Sequence, residues 1–184
     1  MTDITSKLTD WLRTYGFDDI NIQLADDFCY YPAIKTIHIP VIEYEEDEIN
    51  KTLFVESLKN AGLNDEFTEI PYMAMSFLHE LGHYKTLSFY TDEEMNEYWQ
   101  TEDRIYNVIN IADVDSEEYR KAQFEYFNLP VELDATVWAV GFANDYPNLV
   151  WDLEDILNDL IDSVCSDENT LYQEFIIDML LGGM

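Results

Sequence analysis

Two of the three histidines in this chain lie four residues apart in His79-Glu80-Leu81-Gly82-His83. On a helix, positions i and i+4 share a face, so the two imidazoles can hold one metal ion. Glu80, next to the first histidine, can then serve as the base for a metal-activated water. That chemistry is zinc-dependent hydrolysis, and peptide bonds are its commonest target.

A catalytic zinc needs a third protein ligand. No histidine follows His83, which excludes the HExxHxxGxxH pattern, and His38 lies upstream on an expected strand. Glu132, in Leu129-Pro130-Val131-Glu132-Leu133-Asp134-Ala135, is the better candidate. On a helix it shares a face with Ala135, Thr136, Ala139 and Ala143, small residues that permit close approach to the histidine helix. Asp134 points away from that face; it, Glu118 and Glu125 are the rivals. A peptidase also needs an electrophile for the oxyanion, and Tyr126, Tyr146 and Tyr72 are candidates.

These residues require particular elements to position them. Ile70, Ala74, Phe77, Leu78 and Leu81 form one apolar stripe, with Pro71 in the first turn. His79 and His83 fall opposite it with Tyr72 and Ser76, so the helix is expected to bury one face and display its imidazoles on the other. Before it, an N-terminal helix carries Leu8, Trp11, Leu12 and Tyr15 and stops at Gly16. Strand-like runs occupy 20–24 and 35–42, the second with Ile37, Ile39 and Val41 on one side. Tyr30, Tyr31 and Pro32 fit a third strand and turn, and the strand bearing His38 could align an extended substrate at a sheet edge. The acidic run from Glu43 to Glu48 reads as a solvated surface, followed by a helix around Ile49 to Leu58 that ends at Gly62.

Downstream the chain reads as wholly helical. Thr91 with Glu94 forms a capping box opening a helix to about residue 111. Asp115 with Glu118 opens another, and Pro130 starts a third through Ala143. Two more are expected over 149–164 and 171–181. Trp138, Phe142 and Trp151 read as core.

His79-Glu80-Leu81-Gly82-His83 followed by Glu132-Leu133-Asp134-Ala135 resembles the pattern of the glutamate-zincins, in particular the ImmA/IrrE-type metallopeptidases of bacteria and their mobile elements. Residues 28–41 resemble the strands such domains place before the metal helix, and the likeness spans about 3–143. It implies an α+β fold: a mostly helical zincin-like domain with a small N-terminal β-sheet beside the HExxH helix. It implies His79, His83 and Glu132 as ligands of one zinc ion and Glu80 as catalytic base. Between His83 and Glu132 lie 48 residues, more than that pattern carries, so the helix opened by Thr91 would be an insertion. No helix-turn-helix segment is present.

Size and charge bound the rest. At 184 residues and 47% hydrophobic, the chain fits a single domain, with its core at about 3–143 and a helical extension over 148–184. Nine Lys and Arg against 39 Asp and Glu give a net charge of −30, which opposes binding nucleic acid or an anionic membrane and suits a basic protein or peptide partner. The start lacks the features of a signal peptide and no apolar run spans a bilayer, so a cytoplasmic setting is expected. Cys29 and Cys165 suit free thiols there, and one bridge between them is also compatible with the sequence. Two other functions fit less of the chain. One is a non-enzymatic acidic protein that mimics DNA or inhibits a basic partner. The other is an inactive zincin whose metal is structural.

Overall fold

The computed structural model describes residues 2–25, 27–40 and 48–166. Among them are seven α-helices and one three-stranded sheet, an α+β arrangement. The chain opens with α1 (Thr2–Thr14), whose Leu8, Trp11 and Leu12 face the core. Gly16 ends it at a φ of 81°, and Gly62 at 92° closes α2 (Glu48–Asn60) in the same way. Both positions sit in the left-handed region that only glycine enters freely.

The sheet follows α1. Its strands are β1 (Asn21–Ala25), β2 (Cys29–Tyr31) and β3 (Thr36–Pro40), in the order β1-β3-β2. β1 runs parallel to β3, with Ile22 opposite Ile37, and β2 runs antiparallel, with Cys29 opposite His38. β3 is therefore the central strand, flanked on both sides. It cannot receive a substrate at a sheet edge, which corrects the expectation for the His38 strand; β1 and β2 are the edge strands. His38 instead packs its ring on Tyr31, 4.4 Å between centroids. Ile37 and Ile39 are fully buried, whereas Val41 and the acidic run up to residue 47 lie outside the described residues.

Five further helices complete the fold: α3 (Tyr72–Thr86), α4 (Asp92–Ile109), α5 (Glu117–Phe127), α6 (Pro130–Asp145) and α7 (Pro147–Ser166). Thr91 and Glu94 form both bonds of the capping box at the start of α4. The cap of α5 is Ser116, whose Oγ accepts from the Tyr119 N–H, and not Asp115. The serine hydroxyl stands one residue nearer the first turn, and Asp115 turns its own N–H to Asp113 Oδ1.

α3 is the hub, touched by α6, α7, β2 and β3. Every residue from Ala74 to His83 is buried. The imidazole face is thus enclosed rather than displayed, because a second set of elements covers the side opposite the apolar stripe. α7 is part of the same core, contributing the fully buried Val150, Leu153, Leu157 and Leu160, although the sequence suggests an extension beyond residue 143. It also holds the start of α3, where Glu154 Oε2 accepts from the Ala74 N–H at 2.6 Å. That satisfies one of the donors a helix leaves open at its N-terminus. Trp138 stacks on Phe142, but Trp151 lies apart from them against Phe67 and is partly exposed. The expected helix over 171–181 lies outside the described residues. No helix among those described is long and apolar enough to cross a membrane.

Candidate metal centre

α3 packs closely on α6. A Cβ placed on Gly82 would lie 2.3 Å from the carbonyl oxygen of Ala135. Only a residue without a side chain fits there, and the small face of α6 (Ala135, Thr136, Ala139 and Ala143) is buried against α3. This contact carries Glu132 to the two imidazoles. His79 Nε2 lies 3.0 Å from Glu132 Oε2, and His83 Nε2 lies 3.5 Å from the same oxygen. One ligand atom from each of the three residues falls within 4.8 Å of the others.

The donor set suits a small divalent cation. A tetrahedral zinc bound at about 2.0–2.1 Å separates its ligand atoms by roughly 3.3 Å, close to both spacings found here. In two of the three ligands the remaining atom is already engaged. His79 Nδ1 meets Thr136 Oγ1 at 3.1 Å, which leaves Nε2 facing the cluster. The Tyr98 hydroxyl donates to Glu132 Oε1 at 2.6 Å, which leaves Oε2 facing it. Such outer contacts fix the tautomer and orientation of metal ligands.

Tyr98 also lies 2.8 Å from Glu102 Oε1. A phenol has one proton and cannot donate it to two carboxylates. Tyr98 thus stands between two carboxylates, and burial raises the pKa of Glu102. The Tyr98 hydroxyl links Glu102 to Glu132.

Electrostatics fit a site built around a cation. Burial acts against the charge of Glu132, which is 1% exposed, yet the two histidines hold its pKa well below the carboxylate range. Burial alone would strip the proton from His83, but Glu132 outweighs it and pushes the pKa up to about 9. In the metal-free protein a proton on His83 thus balances Glu132. Glu80 is buried, and that burial raises its pKa even with both histidines opposing. The backbone of Tyr30 on β2 offsets a small part of that rise.

The chain matches no protein-family model, no curated protein and no solved structure. The site is therefore read from its own atoms.

The other residues singled out in the sequence separate clearly. Asp134 is exposed and accepts from Tyr90, Glu125 pairs with Arg104, and Glu118 is exposed on α5. None of these joins the cluster. Tyr72 and Tyr126 line the cavity beside His79 and Glu80, whereas Tyr146 is half exposed against Phe142. Cys29 is a free, half-buried thiol that burial pushes up to about 12. Sequence reasoning missed Tyr98 and Glu102, and took Thr136 only as a small residue. Tyr98 is one of thirteen tyrosines and Glu102 one of 39 acids, so neither stands out by type. Thr136 carried a usable signal, since it sits one turn after Glu132 on the same face.

Proposed function

We propose that this protein is a zinc-dependent metallopeptidase of the glutamate-zincin type, akin in its motifs to the ImmA/IrrE-type enzymes, and that it hydrolyses peptide bonds of a protein substrate. One observation carries the reading: His79, His83 and Glu132 converge within bonding reach, with Glu80 in the same cavity wall as His79. His79, His83 and Glu132 would hold the ion. In such a site zinc supplies Lewis acidity, polarising the carbonyl and making water easier to deprotonate.

Glu80 performs the proton transfers. Its raised pKa suits a group that takes a proton from attacking water and returns it to the departing amine. Tyr126 and Tyr72 line the same cavity and are the candidate donors to the developing oxyanion. A purely structural zinc site is closed on all sides, whereas this one borders a cavity. The charge of −30 favours a substrate with basic character.

Two measurements test this reading. Elemental analysis of protein purified without a histidine tag should find about one zinc per chain. A Glu80→Gln variant should retain that zinc and lose cleavage by a factor of at least about 100. Metal-free protein that takes up no zinc, or a Glu80→Gln variant as active as the parent, refutes it.

A further inference from the structure

The cavity beside the metal cluster has a volume of about 540 Å³. That lies within the roughly 300–1,000 Å³ range of sites that enclose small ligands, and it is more than a backbone alone would fill. Its inner wall is aromatic. The buried Phe54 ring meets the edge of His79 at 5.8 Å, Tyr72 at 5.6 Å and Phe127 at 5.9 Å. Tyr106 and Ile109 of α4 and Tyr126 of α5 extend the lining. All three come from the stretch between His83 and Glu132, so the segment that separates the ligands in sequence also shapes the space beside them.

The uncharged polar groups in this wall are amides and hydroxyls, with His79 beside them. Asn50, Asn110 and the buried Gln123 offer amides, and Gln123 is held by its own bond to the Tyr119 hydroxyl. Amides both donate and accept, which suits a peptide backbone. The charged lining residues are Asp27 and Glu80, with no Lys or Arg among them. Lys51 stands over the Tyr72 ring at 4.9 Å. An incoming carboxylate would face Asp27 and Glu80 in this wall.

We infer that this cavity receives a bulky apolar side chain next to the scissile bond. The substrate is then a peptide segment carrying an aromatic or large aliphatic residue at the cut, with no acidic residue there. This inference rests on the metallopeptidase reading above and adds the substrate class to it.

The test uses the zinc-loaded wild-type protein and a set of fluorogenic octapeptides. The peptides differ only at the two positions flanking the cleaved bond, which carry Phe, Leu, Ala, Lys or Asp. Phe and Leu peptides should exceed the Ala peptide in kcat/KM by about 10- to 100-fold, the range a well-filled apolar pocket gives, and Asp should fall below Ala. An Ile109→Trp variant, checked for folding by thermal melting, should bring the Phe-to-Ala ratio towards one by filling the space. A binding arm separates the two ideas: fluorescence polarisation of the same peptides on the zinc-loaded Glu80→Gln variant should rank them in the same order. Cleavage without preference for Phe or Leu, or a preference for Asp, overturns the inference while the peptidase reading stands. Ranked binding with no cleavage by the wild type leaves the pocket in place and removes the peptidase. Equal binding of the Phe, Ala and Asp peptides overturns the pocket whatever the cleavage result.

Discussion

Replacing Gly82 with alanine tests the geometry on which the metal centre depends. On an isolated helix this change is favourable by about 0.8–1 kcal/mol. Here the added methyl would lie 2.3 Å from the Ala135 carbonyl oxygen and 2.8 Å from its Cα and carbonyl carbon. These are backbone atoms and cannot rotate away. Ordinary contact begins near 3.4 Å, so α3 and α6 must part by roughly 1 Å. Overpacking of this kind costs about 1–3 kcal/mol and outweighs the helical gain. The same movement carries Glu132 away from the imidazoles by several times the roughly 0.2 Å that metal coordination tolerates. Zinc affinity should fall by at least about 10- to 100-fold. Gly141, also on α6, is the control: a Cβ there meets nothing within 4 Å, and Gly141→Ala should stabilise the fold by about 0.5–1 kcal/mol. Urea unfolding of the metal-free proteins and zinc titration against a chromophoric chelator read both effects. If Gly82→Ala proves as stable as Gly141→Ala and binds zinc as tightly as the parent, the close approach of the two helices is wrong.

Two other predictions concern groups around the cluster. Tyr98→Phe removes the donor to Glu132 Oε1 and should weaken zinc binding about 10- to 100-fold while circular dichroism stays unchanged; undiminished affinity would show that Tyr98 orients nothing. In the metal-free protein the folded-state pKa of His83 is raised to about 9, above its ordinary value of 6.5. A raised pKa contributes stability that is complete below 6.5 and disappears as pH climbs through 9, so chelated protein should lose on the order of 1–3 kcal/mol across that window in urea melts. His83→Gln should flatten the dependence; a profile that stays unchanged in that variant assigns the loss to another group.

Much of the candidate centre was legible because its chemistry sits in short, rare patterns. His79 and His83 stand out in a chain with three histidines, and Glu132 was reachable through the small residues that follow it at helical spacing. Helix ends at Gly16 and Gly62 and the Thr91 cap were equally readable, since each depends on one residue's own backbone or side-chain bond. What escaped depends on partners distant in sequence. The enclosure of α3 follows from α6 and α7 packing over it, which a single helix wheel cannot show. The central position of β3 depends on β1 and β2 pairing to its two sides, and strand alternation does not encode that order. Tyr98 and Glu102 matter only because α4 folds back over Glu132.

The seat of α3 has a temporal consequence. Its first turn is tied down by Glu154, and α7 packs along it, a helix made after both the histidines and Glu132. A ribosome that has released the histidines and even Glu132 still holds back the helix that locks them in place. Assembly of the centre therefore waits for nearly the whole described chain to emerge, and a nascent fragment ending before α7 carries the ligands without the frame that holds them in register.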